Sequence, residues 1–174
     1  MQRPRRGCSV LDCVLIGVVA PRTFEGSQIE PQPLAKVRLK QTRHPGLGGN
    51  PCIPSEAIES AFNAAARTRR KGKQAKAGLC CFVSSWLQHD GPSDLSSLWA
   101  DKAFVFRSPV NVNGSKVMRT RPRFNNWHVI VNVVFIPSLL NRSEVLEFFE
   151  IAGFREGLGD WRPKFGKFSV KEIN

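Results

Sequence analysis

The stretch Gly157-Leu158-Gly159-Asp160-Trp161-Arg162-Pro163-Lys164-Phe165-Gly166-Lys167-Phe168 decides the reading of this chain. Glycine permits positive φ and close approach of backbone to another chain or to a phosphate. Arg162, Lys164 and Lys167 bring positive charge, and Trp161, Phe165 and Phe168 bring flat rings. Cations interleaved with aromatics on a glycine-rich loop suit a single-stranded nucleic acid, whose phosphates attract charge and whose bases stack. Trp161 and Phe165 fit two roles, stacking on bases or anchoring the loop to the rest of the fold.

What flanks the loop gives it a place in a fold. Upstream, Trp127–Ile136 (WHVIVNVVFI) alternates Trp127, Val129, Val131, Val133 and Phe135 on one face with His128, Ile130, Asn132, Val134 and Ile136 on the other. That period of two predicts a strand, stopped by Pro137. Asn141 then caps a helix, with Glu144 three residues on in capping-box position. Val145, Phe148, Phe149 and Ala152 form its buried stripe, and Gly153 is expected to end it. Downstream, residues 167–173 read as a last strand. The C-terminal third is therefore strand, helix, glycine-rich loop, strand.

The earlier chain has a related order. Residues 1–7 are a basic tail, and Ser9–Ala20 reads as a buried strand ending at Pro21. Residues 21–33 are a loop. Leu34–Thr42 alternates Lys36, Arg38 and Lys40 outward against Ala35, Val37 and Leu39, as a half-buried strand does. After the turn-rich residues 44–54, Ser55 is expected to N-cap a helix whose apolar stripe is Ile58, Ala61, Phe62 and Ala65. Arg67, Arg69, Arg70 and Lys71 crowd its last turn and Gly72 is expected to close it. With Lys73 and Lys76 this run exceeds what a helix end needs, which favours a polyanion contact over a solvated helix end. Residues 78–87 are expected to form one strand, Asp90-Gly91-Pro92 a turn, residues 95–99 a short helical turn and residues 104–106 an edge strand. Asn113-Gly114 is a tight-hairpin pair. Beyond it Arg119, Arg121 and Arg123 alternate, so an extended segment points all three one way, as contact with backbone phosphates requires. A charge-guarded edge strand would carry the same pattern.

Two strand-helix-strand halves predict an α+β fold: a ferredoxin-like or RRM-like sheet with helices packed on one face, plus inserted loops and short strands. The chain lacks Tyr and any RNP-type aromatic motif, which argues against an ordinary RRM. With 26 Lys and Arg against 14 Asp and Glu, the net charge of +12 favours polyanionic partners. The five cysteines form no CxxC pair and no metal-ligand cluster, so reduced thiols in a cytoplasm are expected, with no metal and no cofactor. No apolar run is long enough to span a bilayer, so no membrane partner is expected.

The segment Pro51-Cys52-Ile53-Pro54-Ser55-Glu56-Ala57-Ile58-Glu59-Ser60-Ala61-Phe62 resembles a turn-into-helix motif of the RAMP superfamily, especially backbone subunits of CRISPR effector complexes, and the loop 157–168 is similar to the C-terminal glycine-rich loop of that superfamily. This sequence departs from the motif at Pro54-Ser55-Glu56, where the family prefers Gly before Ser, and at Glu59, where Lys is common. From about Leu34 onward, Asp90-Gly91-Pro92, Leu98-Trp99-Ala100-Asp101, Val117-Met118-Arg119-Thr120-Arg121-Pro122 and Gly157 to Pro163 also resemble a set of small uncharacterised bacteriophage proteins. The first resemblance implies one RAMP-like domain over residues 8–174, in a bacterial cell and open to viral encoding. It also implies a non-catalytic protein that coats single-stranded RNA or DNA, RNA favoured, as an oligomer or beside CRISPR-type subunits. Arg67, Arg69, Arg70, Lys71, Lys73, Lys76, Arg119, Arg121, Arg123, Arg162 and Lys164 would meet phosphates, with Trp161 and Phe165 stacking. Two alternatives remain. One is a phage-encoded interaction protein that mimics or inhibits a CRISPR subunit or serves in a virion. The other is a RAMP-like endoribonuclease, for which His44 is the candidate base.

Overall fold

In the computed structural model, residues 8–17, 51–92, 95–159 and 161–173 are described. At the centre, β1 (Ser9–Gly17) pairs antiparallel with β8 (Trp127–Phe135), Leu11 opposite Val133 and Leu15 opposite Val129. β9 (Phe168–Glu172) lines the far edge of β1. The far edge of β8 takes two short strands, β3 (Leu79–Cys80) and β5 (Gln88–His89). The order across the sheet is β3-β8-β1-β9, all antiparallel. A small β2–β4 pair (Cys52–Ile53 with Ser85–Trp86) and the hairpin of β6 (Val105–Val112) and β7 (Ser115–Pro122) complete the strands. The architecture is thus mixed α and β with antiparallel sheets.

Helices α1 (Ser55–Thr68) and α4 (Arg142–Ile151) cover one sheet face, because each carries an apolar stripe at helical spacing. Phe62 of α1 lies 5.6 Å from Phe148 and 4.9 Å from Phe149 of α4, ring centre to ring centre. All three rings are buried over Leu11, Cys13, Leu15, Val129, Val131 and Val133. The alternation read in 127–136 is present as expected: the odd-numbered residues from Val129 to Phe135 are buried, and Ile130 on the other face is exposed. That second face is mixed, with Val10 and Val14 beside Ile130 and Val134, Asn132 donating to the Asp12 carboxylate across the strands, and Ser169 and Lys171 contributed by β9. His128 is the only ring that β1, β8 and β9 place there.

Several local expectations hold. Asn141 and Glu144 form the capping box. Asn113 (φ 51) and Gly114 (φ 84) both adopt the left-handed conformation that a tight hairpin turn demands. Leu95–Ala100 is a short helix, α3.

Four expectations need correction. Pro54, not Ser55, occupies the N-cap of α1, its extended backbone (ψ 141) setting the helix entry with no side-chain cap. Gly72 does not close α1: the helix ends at Thr68, Arg70 takes the left-handed turn (φ 61), and Gly72 opens α2 (Gly72–Gly78), which carries Lys73 and Lys76. Residues 78–87 are not one strand but two short pieces, because the Cys81 N–H turns aside to the Glu59 carboxylate, 2.8 Å away. Gly153 does not end α4. The helix widens into a π turn over Ala152–Glu156 and stops at Gly157 (φ 73). Gly153 instead admits β9, since a Cβ there would lie 2.0 Å from the Phe168 carbonyl oxygen.

The basic tail 1–7, the strand expected at 34–42, the loop 21–33, His44 and Asp160 lie outside the described residues. No described helix is long and apolar enough to cross a membrane.

Candidate nucleic-acid interface

The expected site residues fall into three groups in space. The first is the α1–α2 turn. Arg69 reaches Glu147 of α4 at 2.8 Å, and the Lys71 ammonium bonds the Glu144 carboxylate. The Lys71 hydrogen bond, followed by the Asn141 backbone N–H, holds the Glu144 carboxyl below its ordinary range. Two of the run's cations are therefore already matched to acids of a neighbouring helix. Arg70 is exposed on the turn and Lys73 on α2.

The second group is the hairpin and the glycine-rich loop. In register, Arg121 stands opposite Phe106 and Arg119 opposite Ser108, and cross-strand partners share a face. Arg123 follows the strand; its backbone N–H bonds Phe104 O at 2.8 Å and its guanidinium donates to Ala103 O at 3.1 Å. Against this face the loop brings Trp161 and Phe165. Their rings lie 5.5 and 5.9 Å from Phe106, and 5.6 Å from each other. The Arg121 guanidinium sits 5.5 Å over Trp161 and the Lys164 ammonium 5.6 Å over Phe165, each a cation on a ring face. The rings thus anchor the loop to the hairpin, and Phe165 keeps 38% of its surface exposed.

Backbone geometry holds that loop in shape. Leu158 N–H bonds Gly166 O and Phe165 N–H bonds Trp161 O, at 2.8 and 3.0 Å. Gly166 (φ 74) comes so close that a Cβ would lie 1.7 Å from Leu158 O. Lys167 is drawn inward, donating to the carbonyls of Phe154 and Arg155 at the end of the π turn, both at 2.7 Å. A second ring cluster fixes the hairpin root: His89 stacks 4.6 Å from Phe124 and 6.2 Å from Phe104.

The third group surrounds a cleft of about 620 Å³ between α1, α2 and the loop. Arg67, Lys76 and Arg162 line it, together with Glu56, Glu59 and Glu156. Gly72 lets the Arg67 stem lie across the start of α2, for a Cβ at Gly72 would meet Arg67 Cγ at 2.6 Å. Sequence reasoning selected the cations of this cleft and missed its acids and Asn63. Glu56, Glu59, Ser60, Asn63 and Arg67 follow helical spacing, so the polar face of α1 was the available signal.

Among the described residues no cluster of His, Cys, Asp and Glu could hold a metal ion. Burial pushes the Cys13 thiol up to about 12 and that of Cys81 to about 11, which makes both poor nucleophiles. Comparison with protein-family models and with curated proteins gives no match for this chain.

Proposed function

We propose that this chain is a non-catalytic single-stranded nucleic-acid-binding protein, RNA favoured, of the RAMP type found in CRISPR backbone subunits, able to coat a strand as an oligomer. One observation carries the reading. The Phe106–Trp161–Phe165 cluster joins the arginine row of β7 to the glycine-rich loop, with Arg121 over Trp161, Lys164 over Phe165 and Arg119 on the same strand face as Arg121. No acidic residue occurs between Lys102 and Arg123, so the hairpin's own sequence brings cations without carboxylates. Phosphates take the guanidinium forks, and bases take the ring surface left exposed.

The strand order β3-β8-β1-β9, with α1 following β1 and α4 following β8 on one face, supports a ferredoxin-like reading built of two interleaved strand-helix-strand units. Of β1, β8 and β9, only His128 puts a ring on the second sheet face, which favours the hairpin and loop as the binding surface, unlike an RRM.

The test is fluorescence anisotropy with ssRNA, ssDNA and duplex DNA of equal length across a salt series. Tight binding to one single strand, growing with its length and falling steeply with salt, is expected. Equal and weak binding to all three sinks the reading.

A second reading, a phage-encoded protein that engages a host complex, draws on Phe82 and Val83, which are 75% and 67% exposed beside Trp86. Co-purification separates the two: a coating protein carries nucleic acid, and an interaction protein carries a defined host complex.

A further inference from the structure

We infer that the cleft between α1, α2 and the glycine-rich loop is a site for one ribonucleotide unit, with phosphate at its cationic end and the sugar and base at its acceptor end. The inference deepens the nucleic-acid reading and rests on it. Along α1 the lining runs from Glu56 through Asn63 to Arg67, so a carboxylate and a guanidinium lie near opposite ends of one helix, and Lys76, Arg162 and Glu156 complete the wall. A continuous phosphodiester path would be repelled by those carboxylates, whereas the hairpin, free of acids, offers no such conflict. The cleft therefore suits a ligand that is anionic at one end and rich in donors at the other.

Asn63 sharpens the choice. Its Oδ1 is turned into the wall, buried and without a hydrogen-bond partner, so rotating the amide to offer that oxygen to a donor in the cleft gives up no existing bond. Carboxylates and an amide oxygen all accept, so the ligand must donate. Ribose hydroxyls and the exocyclic amine of adenine or cytosine are such donors, and the phosphate supplies the anion. The volume of about 620 Å³ lies within the range for a small-ligand site. Glu59, also on the wall, is already engaged by the Cys81 N–H, which leaves Glu56 and Glu156 for the hydroxyls.

The test is calorimetric titration of the whole chain with AMP, dAMP and inorganic phosphate. AMP is expected to bind roughly tenfold tighter than phosphate and several-fold tighter than dAMP. Asn63→Leu should weaken AMP about tenfold and leave phosphate within about twofold. Arg162→Ala, on the exposed loop, should weaken all three ligands, and far-UV circular dichroism confirms that each variant is folded. AMP that binds no tighter than phosphate, or that ignores both variants, overturns the site. Competition by a short oligoribonucleotide identifies the source: displacement of AMP places the unit within a strand, and no displacement makes it a free nucleotide. If AMP binds while every oligonucleotide fails, the cleft stands and the strand-binding reading falls.

Discussion

Two clusters of three aromatic rings organise the two parts of this molecule, and they do opposite work. Phe62, Phe148 and Phe149 are at most 1% exposed and touch only the core. Phe106, Trp161 and Phe165 have similar ring spacings, but they are half-exposed and carry Arg121 and Lys164 on their faces. The first cluster holds helices onto a sheet. The second holds a basic arm against a basic loop and leaves ring surface to spare. Aromatic side chains build a core in one setting and a candidate binding surface in the other, and the difference is set by what surrounds the rings.

The charges repeat this contrast. The turn between α1 and α2 is the densest basic run in the chain, yet Arg69 and Lys71 meet Glu147 and Glu144. The hairpin has fewer cations in a row but no acid among them. Sequence density of cations is therefore a poor measure of available charge.

The largest effect should come from the core. Phe62→Ala removes a ring in contact with two others and is expected to lower stability by about 3–5 kcal/mol in urea unfolding. Phe106→Ala, in the exposed cluster, is expected to cost much less, about 1–2 kcal/mol. Its distinctive result is local: faster hydrogen exchange at Leu158 and Phe165, whose N–H groups close the loop. If the two variants unfold at the same urea concentration, the division into core and arm is wrong.

Next in size is the charge comparison. The triple variant Arg119→Ala/Arg121→Ala/Arg123→Ala should weaken single-strand binding and make its log–log salt slope shallower by roughly 2 units, at about 0.7 per lost phosphate contact. The double variant Arg69→Ala/Lys71→Ala should change affinity by less than about twofold and stability by about 1 kcal/mol per ion pair, the half-buried Lys71–Glu144 pair costing more than the exposed Arg69–Glu147 pair. Equal losses of affinity from the two variants would show that the α4 acids do not withhold Arg69 and Lys71 from the ligand.

Much of the fold is legible in the sequence because its signals are local. The alternation through Val129, Val131 and Val133, the capping box of Asn141 and Glu144, and the Asn113-Gly114 turn each involve residues a few positions apart. What escaped acts through space. Gly153 looks like a helix stop until Phe168 is known to lie against it, and Gly72 like a cap until Arg67 is seen across it. The pairing of Lys71 with Glu144 spans 73 residues, so no window of sequence contains it. The site was half legible for the same reason. Cations could be selected by type, but the docking of Phe106 on Trp161 and the cleft that joins Glu56 to Glu156 depend on tertiary approach.

The smallest expected effect concerns the root of the arm. His89 lies between Phe104 and Phe124, and its Nδ1 accepts the Gly91 N–H at 3.1 Å. Burial lowers its pKa below the ordinary 6.5, with Asp90 opposing the shift. The unfolded chain therefore binds this proton more readily than the folded one. The stabilisation is complete above the ordinary value and is lost as pH falls through the lower, folded value. Protonation would also turn Nδ1 from acceptor to donor and oppose the Gly91 N–H. The melting temperature should thus fall on acidification from about pH 7.5 to about pH 5.5, and His89→Gln should reduce that fall. The Phe62–Phe148–Phe149 cluster has no titratable member, so the loss should begin at the hairpin root. Hydrogen exchange at the Gly91 and Arg123 amides should accelerate at the lower pH, relative to the intrinsic rate, before that at Val131. Simultaneous loss of protection at all three would join arm and core into one cooperative unit and remove the distinction between them.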